Sequence, residues 1–100
     1  MTVDTWPFQD PPNFAVISLR SIVFDGSPIL HVTHDLDDCS WQFLGLADAH
    51  ERDACVVGLG EMWARDASVA ELSDLPLGWH AWRETASSPW QRSPNPSEQK

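Results

Sequence analysis

Histidines and carboxylates lie close together near the middle of the chain and are the residue types from which a metal site could be built. His31 and His34 are followed by Asp35, and Asp37 and Asp38 add two more carboxylates. Zinc requires three or four ligands that converge on one point. Because residues three apart in a strand point to opposite faces, His31 and His34 cannot converge within one strand. We therefore expect surface histidines beside an acidic turn, and no metal site.

The stretch from 48 to 53 is a second place where side chains could do acid–base chemistry. It carries Asp48, His50, Glu51 and Asp53, and a histidine among carboxylates is a common general acid or base. No nucleophile or oxyanion element is identifiable beside it in the sequence. A solvated polar loop is the expected structure, and we predict that the protein is not an enzyme.

Two further motifs do not meet the requirements of the chemistry they suggest. Gly58-Leu59-Gly60 stands between an apolar run and a predicted helix, but Trp63 occupies the third glycine position of a dinucleotide-binding turn, and the lysine of a P-loop is absent. Cys39 and Cys55 have no basic neighbour in the sequence that would activate a thiol, although a histidine could meet either one in the fold. We expect turn-forming glycines and unreactive thiols.

The overall charge favours a protein partner of opposite charge. The 100 residues include 15 acidic and 6 basic side chains, which give a formal net charge of −9. Such a charge repels nucleic acids and anionic membranes and attracts basic proteins. The six tryptophans agree with this expectation, because aromatic anchors dominate the energy of protein interfaces. We expect no nucleic-acid partner, no membrane partner and no cofactor.

The sequence carries no signal for secretion or for membrane insertion. The N-terminus lacks a basic segment followed by an apolar one, and no apolar run approaches the roughly 20 residues of a membrane span. Two cysteines make neither a disulfide framework nor a zinc site. We therefore expect a cytoplasmic protein with reduced thiols.

The first half of the chain predicts an antiparallel meander. Prolines make residues 1–13 an extended arm. Residues 14–24 are rich in the β-branched and aromatic types that favour a strand, with a bulge near its end. Asp25-Gly26 suits a tight turn into a second strand at 29–33, and a polar turn leads to a third strand at 41–44. Connections this short are expected to join neighbouring antiparallel strands.

Helical patterns interrupt the strands in the second half of the chain. Residues 54–57 predict a fourth strand or the lead-in to a helix. Leu59, Met62 and Trp63 have the spacing of one apolar helix face, which predicts a helix from 60 to 65. Ser68-Val69-Ala70-Glu71 matches a capping box, so a second short helix is expected to begin there.

The last predicted strand carries two tryptophans. Leu75-Pro76-Leu77-Gly78 predicts a type I turn, and the strand follows from 79 to 85. Trp79 and Trp82 point to opposite faces of this strand. We expect Trp79 in the core, since Ala81 shares its face and leaves room for packing.

Together these patterns predict an α+β fold: an antiparallel sheet of four to five strands with two short helices before the last strand. The extended N-terminal arm covers residues 1–13, a single α+β domain covers 14–92, and a flexible tail covers 93–100. Trp90 is expected to clamp the C-terminal stretch onto the domain. A chain of this length can fold alone around a modest core.

Four motifs resemble a family of short, uncharacterised bacterial proteins. They are Trp41-Gln42-Phe43-Leu44, Asp66-Ala67-Ser68-Val69, the stretch from Asp74 to Arg83, and Pro89-Trp90-Gln91-Arg92, and the resemblance spans roughly residues 16–92. The family is similar in layout to an immunity-protein-like domain of unknown function met near polymorphic toxin genes. The resemblance implies a small α+β domain and toxin neutralisation, and it carries over no catalytic residue. The chain departs from the family pattern at Ala67, where a proline is expected.

The sequence favours a non-enzymatic, acidic protein-binding module, immunity-like in its role, that neutralises a basic toxin. Its partner-binding residues are predicted to be Trp82, His80, Trp41, Asp37 and Asp38. Two alternatives stay open. One is a small enzyme that depends on a metal or on its histidines, and the other is a structural domain that forms a homodimer through an exposed tryptophan face. The chain is accordingly expected to be a monomer or a homodimer.

Overall fold

The computed structural model describes residues 6–46 and 51–95. These residues form six strands and two short α-helices, in the order β1 (Ala15–Leu19), α1 (Arg20–Val23), β2 (His31–His34), β3 (Trp41–Leu44), β4 (Ala54–Gly58), α2 (Leu59–Arg65), β5 (Trp79–Trp82) and β6 (Gln91–Pro94). Two stretches of 3₁₀ helix lie in the second half, at Glu51–Asp53 and Ala67–Leu72.

The six strands belong to one mixed sheet with the order β4-β1-β3-β2-β5-β6. β1 and β3 are parallel, with Ile17 opposite Gln42, and the other neighbouring pairs are antiparallel. A small α+β fold with a largely antiparallel sheet is therefore confirmed. The finer prediction of four to five antiparallel strands is only approximately right, because the sheet has six strands and one parallel pair.

The connection after β1 explains the parallel pair. The strand predicted over 14–24 ends at Leu19, and α1 takes the place of its second half. Ile22 and Val23 are both buried although they are adjacent, which a helical turn permits and the alternation of a strand does not. Gly26, at φ 79°, then turns the chain. The next strand, β2, lies on the far side of β3 from β1, so β3 is between them in the sheet. The predicted meander is wrong here because the helical turn let the chain skip one strand position.

The edge strand β6 (Gln91–Pro94) crosses the predicted boundary between the domain and the C-terminal tail at residue 93. β5 ends at Trp82 instead of continuing to 85, and a turn that includes the Ser88 N–H bond to Thr85 O, at 3.0 Å, leads into β6. Proline and serine concealed this strand in the sequence. Pro94 is tolerated because it ends an edge strand, where a missing N–H donor costs little.

The two predicted helices are present, but the second one begins differently. α2 runs from Leu59 to Arg65, within one residue of its predicted range. The second helix is a 3₁₀ helix, and Asp66 caps it in place of Ser68: Asp66 Oδ1 accepts the Ser68 backbone N–H at 2.9 Å. The capping-box prediction is therefore wrong by two residues, since aspartate is itself a strong N-cap and stands first.

The turn before β5 is displaced by one residue from its predicted position. It runs from Pro76 to Trp79, whose N–H donates to Pro76 O at 3.1 Å. Gly78 stands third in this turn at φ 82°, the positive φ that a type II turn requires at that position. Its N–H donates to His34 O at 2.7 Å, which joins the turn to the end of β2.

One face of the sheet carries the hydrophobic core. Side chains from the sheet, from α2 and from the 67–72 helix meet there, and each is at most 2% exposed: Val16, Val32, Trp41, Phe43, Ala81, Leu59, Met62, Val69 and Leu72. Burial of a side chain of this kind contributes about 1.5–3 kcal/mol.

Aromatic rings hold the N-terminal arm against the same face. Phe8 is buried, with its ring centroid 5.4 Å from that of Trp41, and the Trp6 ring lies 5.4 Å from Trp63. Trp41 Nε1 also donates to Asp10 Oδ2 at 3.2 Å. From residue 6 onward the arm is extended and docked on the domain, and residues 1–5 lie outside the described residues.

Arg83 is a buried cation that joins separate parts of the chain. Nε and Nη2 donate to Ile29 O at 3.0 and 2.9 Å, and Nη1 donates to Ser68 Oγ at 2.9 Å and to Ala86 O at 3.0 Å. Nη2 also donates to the Asp66 carboxylate, so all five N–H donors of the guanidinium have an acceptor. The connection before β2, the cap of the 3₁₀ helix and the turn after β5 therefore meet at one side chain.

Trp90 covers this ion pair. Its ring lies over the guanidinium of Arg83, with Cζ 4.1 Å from the ring centroid, and its Nε1 donates to Ser68 Oγ at 3.3 Å. A cation over a tryptophan face is attractive, and more so when water is excluded. Trp90 contacts the domain as the predicted clamp would, immediately before β6 begins.

Replacing Arg83 should destabilise the fold strongly. In Arg83→Gln, Asp66 loses its cation and the buried Ile29 carbonyl loses its donors, and breaking a buried pair from one side costs about 3–5 kcal/mol. Arg92→Gln is the control, because its 2.9 Å pair with Asp74 lies at the surface and should contribute only about 0–1 kcal/mol. Urea unfolding followed by tryptophan fluorescence measures both. Equal losses in the two variants would contradict this account.

Acid should weaken the fold partly through Asp66. Partial burial raises the pKa of Asp66, but hydrogen bonds from Ser68 and Arg83 outweigh it and hold the pKa below its ordinary value of 3.8. The ionised carboxylate therefore stabilises the fold fully above the unfolded pKa, and this stabilisation is lost as the pH falls through the lower, folded pKa. The difference in unfolding free energy between the wild type and Asp66→Asn should shrink from about pH 6 to about pH 3. A constant difference would disprove the assignment.

Candidate functional site

The second face of the sheet is only partly buried by the described part of the chain, and we call it the open face. Strand pairing places on it, among others, Ile17, His31, Thr33, Gln42, Leu44, Val56, His80, Trp82 and Ser93. Val56 is 65% exposed, Thr33 is buried, and the other residues named are half-buried. A face that combines aromatic, apolar and polar groups in this way is a candidate binding surface.

The two tryptophans of β5 lie on opposite faces, as the sequence predicted. Trp79 pairs with His34 on the core side, where Ala81 is fully buried, and it packs against the core while half-buried itself. Trp82 lies on the open face beside His80, and their ring centroids are 5.0 Å apart. Trp82 and His80 are therefore the predicted partner-binding residues that the fold brings together.

Trp41 lies apart from that pair. It shares the core face of β3 with Phe43 and is 2% exposed. Its ring stacks on His34, with centroids 3.8 Å apart and an angle of 11° between the planes. The fold does not bring Trp41 together with Trp82, because the parity of β3 directs Trp41 into the core.

Asp37 and Asp38 are exposed in the turn between β2 and β3. Asp38 Oδ1 accepts bonds from the Ser40 hydroxyl at 2.7 Å and the Ser40 backbone N–H at 3.1 Å, and these hydrogen bonds lower the Asp38 pKa. The preceding Asp35 ties the turn to the open face. Its carboxylate accepts from Thr33 Oγ1 at 3.1 Å and Gln42 Nε2 at 2.7 Å. The acidic turn therefore borders the open face.

Three polar side chains form a hydrogen-bonded row across the open face. His31 Nε2 lies 3.0 Å from His80 Nδ1, and Ser93 Oγ lies 3.4 Å from His80 Nε2. Burial lowers the pKa of both histidines, and His80 lowers the pKa of His31 further. Both rings are accordingly neutral near neutral pH.

The tautomers of the two histidines set the direction of both hydrogen bonds in this row. We predict that Ser93 Oγ donates to Pro94 O, 3.3 Å away, and that its oxygen accepts from His80 Nε2–H. His80 Nδ1 is then an acceptor, and His31 Nε2–H donates to it. The row has the order serine, histidine, histidine, and in the predicted proton arrangement its serine accepts from the imidazole. This is the opposite of what a general base requires of a nucleophile.

Sequence reasoning missed this row for two reasons. His31 was considered with its neighbour His34, which lies on the core side and bonds through Nδ1 to Leu75 O at 2.7 Å. Ser93 fell in the predicted tail. The alternation of β2 and β5 does place His31 and His80 on one face once the two strands are paired, but the sequence gives no register for that pairing.

The other sequence motifs have structural roles or lie outside the description. The N–H of Gly60 donates to Pro12 O at 2.8 Å. A Cβ on Gly60 would lie only 3.2 Å from Pro12 Cβ, so a glycine here lets the N-terminal arm approach α2 closely. Residues 47–50 of the polar loop are outside the described residues. Asp53 lines a groove of about 490 Å³ at the end of β1. Cys39 is a free, exposed thiol at φ 61° in the acidic turn, and Cys55 is a free thiol in β4.

Comparisons with known proteins found no match: no family model, no curated protein and no solved structure is similar to this chain. The resemblance to an immunity-protein-like family therefore stays a prediction. Over the described ranges, no helix combines the length and the apolar character needed to cross a membrane. Within those same ranges, no group of three or more histidine, cysteine or acidic side chains converges as a metal site would require.

Histidine-selective nitrogen NMR should verify the proton assignment. At about pH 8, both His31 and His80 should give the Nε2–H tautomer, because each ring donates from Nε2 in the predicted proton arrangement. In Ser93→Ala the His80 signal should shift, while His34, on the other face, should keep its signal. An Nδ1–H tautomer for His80 would refute the assignment.

Proposed function

We propose that this protein is a non-enzymatic binding module whose open face binds a basic protein. The difference between the two faces of the sheet carries the proposal: Phe43 is fully buried on the core face, whereas Val56 is 65% exposed on the open one. Trp82 supplies an aromatic anchor on β5, beside His31 of the central strand β2. Tryptophan is the side chain most often found at the energetic centre of an interface.

Charge supports a basic partner. The net charge of the chain is −9, and the exposed Asp37 and Asp38 stand at the border of the open face. Two of the six cations are engaged within the fold, since Arg83 and Arg92 pair with acidic side chains. A surface of this kind raises the rate of association with a positively charged protein and disfavours nucleic acids and anionic membranes.

Within this proposal the partner is a basic toxin, and the role is that of an immunity-like protein. An acidic inhibitor gains its fast association and its orientation from opposite charge, which suits the neutralisation of a toxin. The cytoplasm is the proposed compartment because Cys39 and Cys55 are free thiols. The proposal requires no cofactor, and it requires no second copy of the chain.

Co-expression with a basic toxin encoded beside the gene tests the proposal. The wild type should restore growth, and a purified complex should form. Trp82→Ala should weaken binding by about 30-fold, because loss of an interface anchor costs about 2 kcal/mol. The double variant Asp37→Asn with Asp38→Asn should slow association at low salt.

The matched control removes the same charge elsewhere. Glu61 and Glu71 are exposed on α2 and the 67–72 helix, on the core side of the sheet, and their replacement by glutamine should leave the association rate nearly unchanged. Urea unfolding of each variant confirms that it is folded. Failure of the wild type to protect cells, or equal effects of the two charge pairs, would overturn the proposal. A concentration-dependent dimer that hides Trp82 in sedimentation would favour the homodimer instead.

A further inference from the structure

We propose that His31 and His80 form a two-histidine site for a divalent transition metal at the centre of the open face. The two nitrogen atoms that face each other, His31 Nε2 and His80 Nδ1, are 3.0 Å apart. Metal–imidazole bonds are about 2.0–2.1 Å long. Two such bonds at a right angle, as in tetragonal or octahedral coordination, separate their nitrogen atoms by about 2.9 Å. The observed separation therefore suits chelation by neighbouring positions of one metal ion.

The pair stands on two neighbouring strands, β2 and β5. β2 and β5 are antiparallel, with His31 opposite Trp82 and His80 opposite Thr33, so the histidines are diagonal neighbours on one face. The strand backbones hold them in place, and only a rotation of each ring is needed to direct both lone pairs at a common point. The histidine pair suggested by the sequence, His31 with His34, does not have this property because its members lie on opposite faces.

Ser93 acts on this site as a positioning residue. Its Oγ lies 3.4 Å from His80 Nε2, and in the predicted proton arrangement it accepts from this nitrogen, so that Nδ1 is free to bind a metal beside His31. Histidines that bind metals commonly donate their second N–H to a neighbouring acceptor, and this bond fixes both the tautomer and the orientation of the ring. In the metal-free protein the His31 proton lies on Nε2. Metal binding moves it to Nδ1 of the same ring, so both rings stay neutral.

The donor set selects the class of metal. Two neutral imidazoles bind Cu²⁺ more tightly than Zn²⁺ or Ni²⁺. They have little affinity for Mg²⁺ or Ca²⁺. Since no third histidine, cysteine or acidic side chain converges there within the described residues, water would occupy the remaining positions. The site is open, and its metal is exchangeable. This inference concerns the chain alone and does not depend on the proposed partner.

Metal titration of the untagged, full-length protein tests the site. Calorimetry with Cu²⁺ and Ni²⁺, in a Cys39→Ser background that prevents copper from oxidising the exposed thiol, should show one ion per chain. His31→Gln and His80→Gln should each weaken binding by at least about tenfold, and Ser93→Ala by about tenfold. His34→Gln, on the core face, should leave the affinity unchanged.

A second measurement keeps the test valid if a variant fails to fold. Substoichiometric Cu²⁺ added to the wild type should broaden the ring signals of His31 and His80 before those of the other two histidines. It should also quench the fluorescence of Trp82, whose ring centroid is 5.0 Å from that of His80, and Trp82→Phe should remove this component. Equal affinity in the His31, His80 and His34 variants, or one ion shared by two chains, would overturn the proposal.

Discussion

The ion pair between Arg83 and Asp66 is the contact on which the arrangement of the sheet depends. Arg83 continues the core-facing positions of β5, so a cation enters the protein where an apolar residue would be expected, and it is 2% exposed. Burying a charge is costly unless every donor is satisfied, and here the carboxylate, a hydroxyl and two carbonyl groups satisfy all five. The 3₁₀ helix, the connection before β2 and the turn after β5 consequently have one position relative to each other.

This geometry decides which face of the sheet is available. The pair and Trp90 lie on the core side, together with α2 and the 3₁₀ helix, so that the polar row from His31 through His80 to Ser93 stays on the opposite side. Alternate side chains of β5 point to opposite faces, so Ala81 is buried on the core face and Trp82 lies on the open face. The open face thus carries a half-buried tryptophan, two neighbouring histidine rings and a bordering acidic turn.

Local patterns in the sequence predict much of this fold, and contacts between distant residues account for the rest. The strand at 41–44, the helix beginning near Leu59 and the opposite directions of Trp79 and Trp82 follow from periodicity, which is a local property. The parallel pair, the cap at Asp66 and the edge strand β6 do not, because each depends on a partner far along the chain. Strand parity does put Arg83 on the core face with Ala81, but only the structure shows the acceptors that make its burial tolerable.

The exposure of the open face is the central claim, and an inert paramagnetic co-solute measures it directly in solution. Added to the full-length protein in an NMR experiment, it relaxes nuclei according to their distance from solvent. The account predicts strong relaxation of the Val56 methyl groups, intermediate relaxation of the Trp82 indole and His80 ring, and almost none for Trp41 and Phe43. Protection of Val56 and Trp82 equal to that of Phe43 would mean that the face is covered, and it would contradict the account.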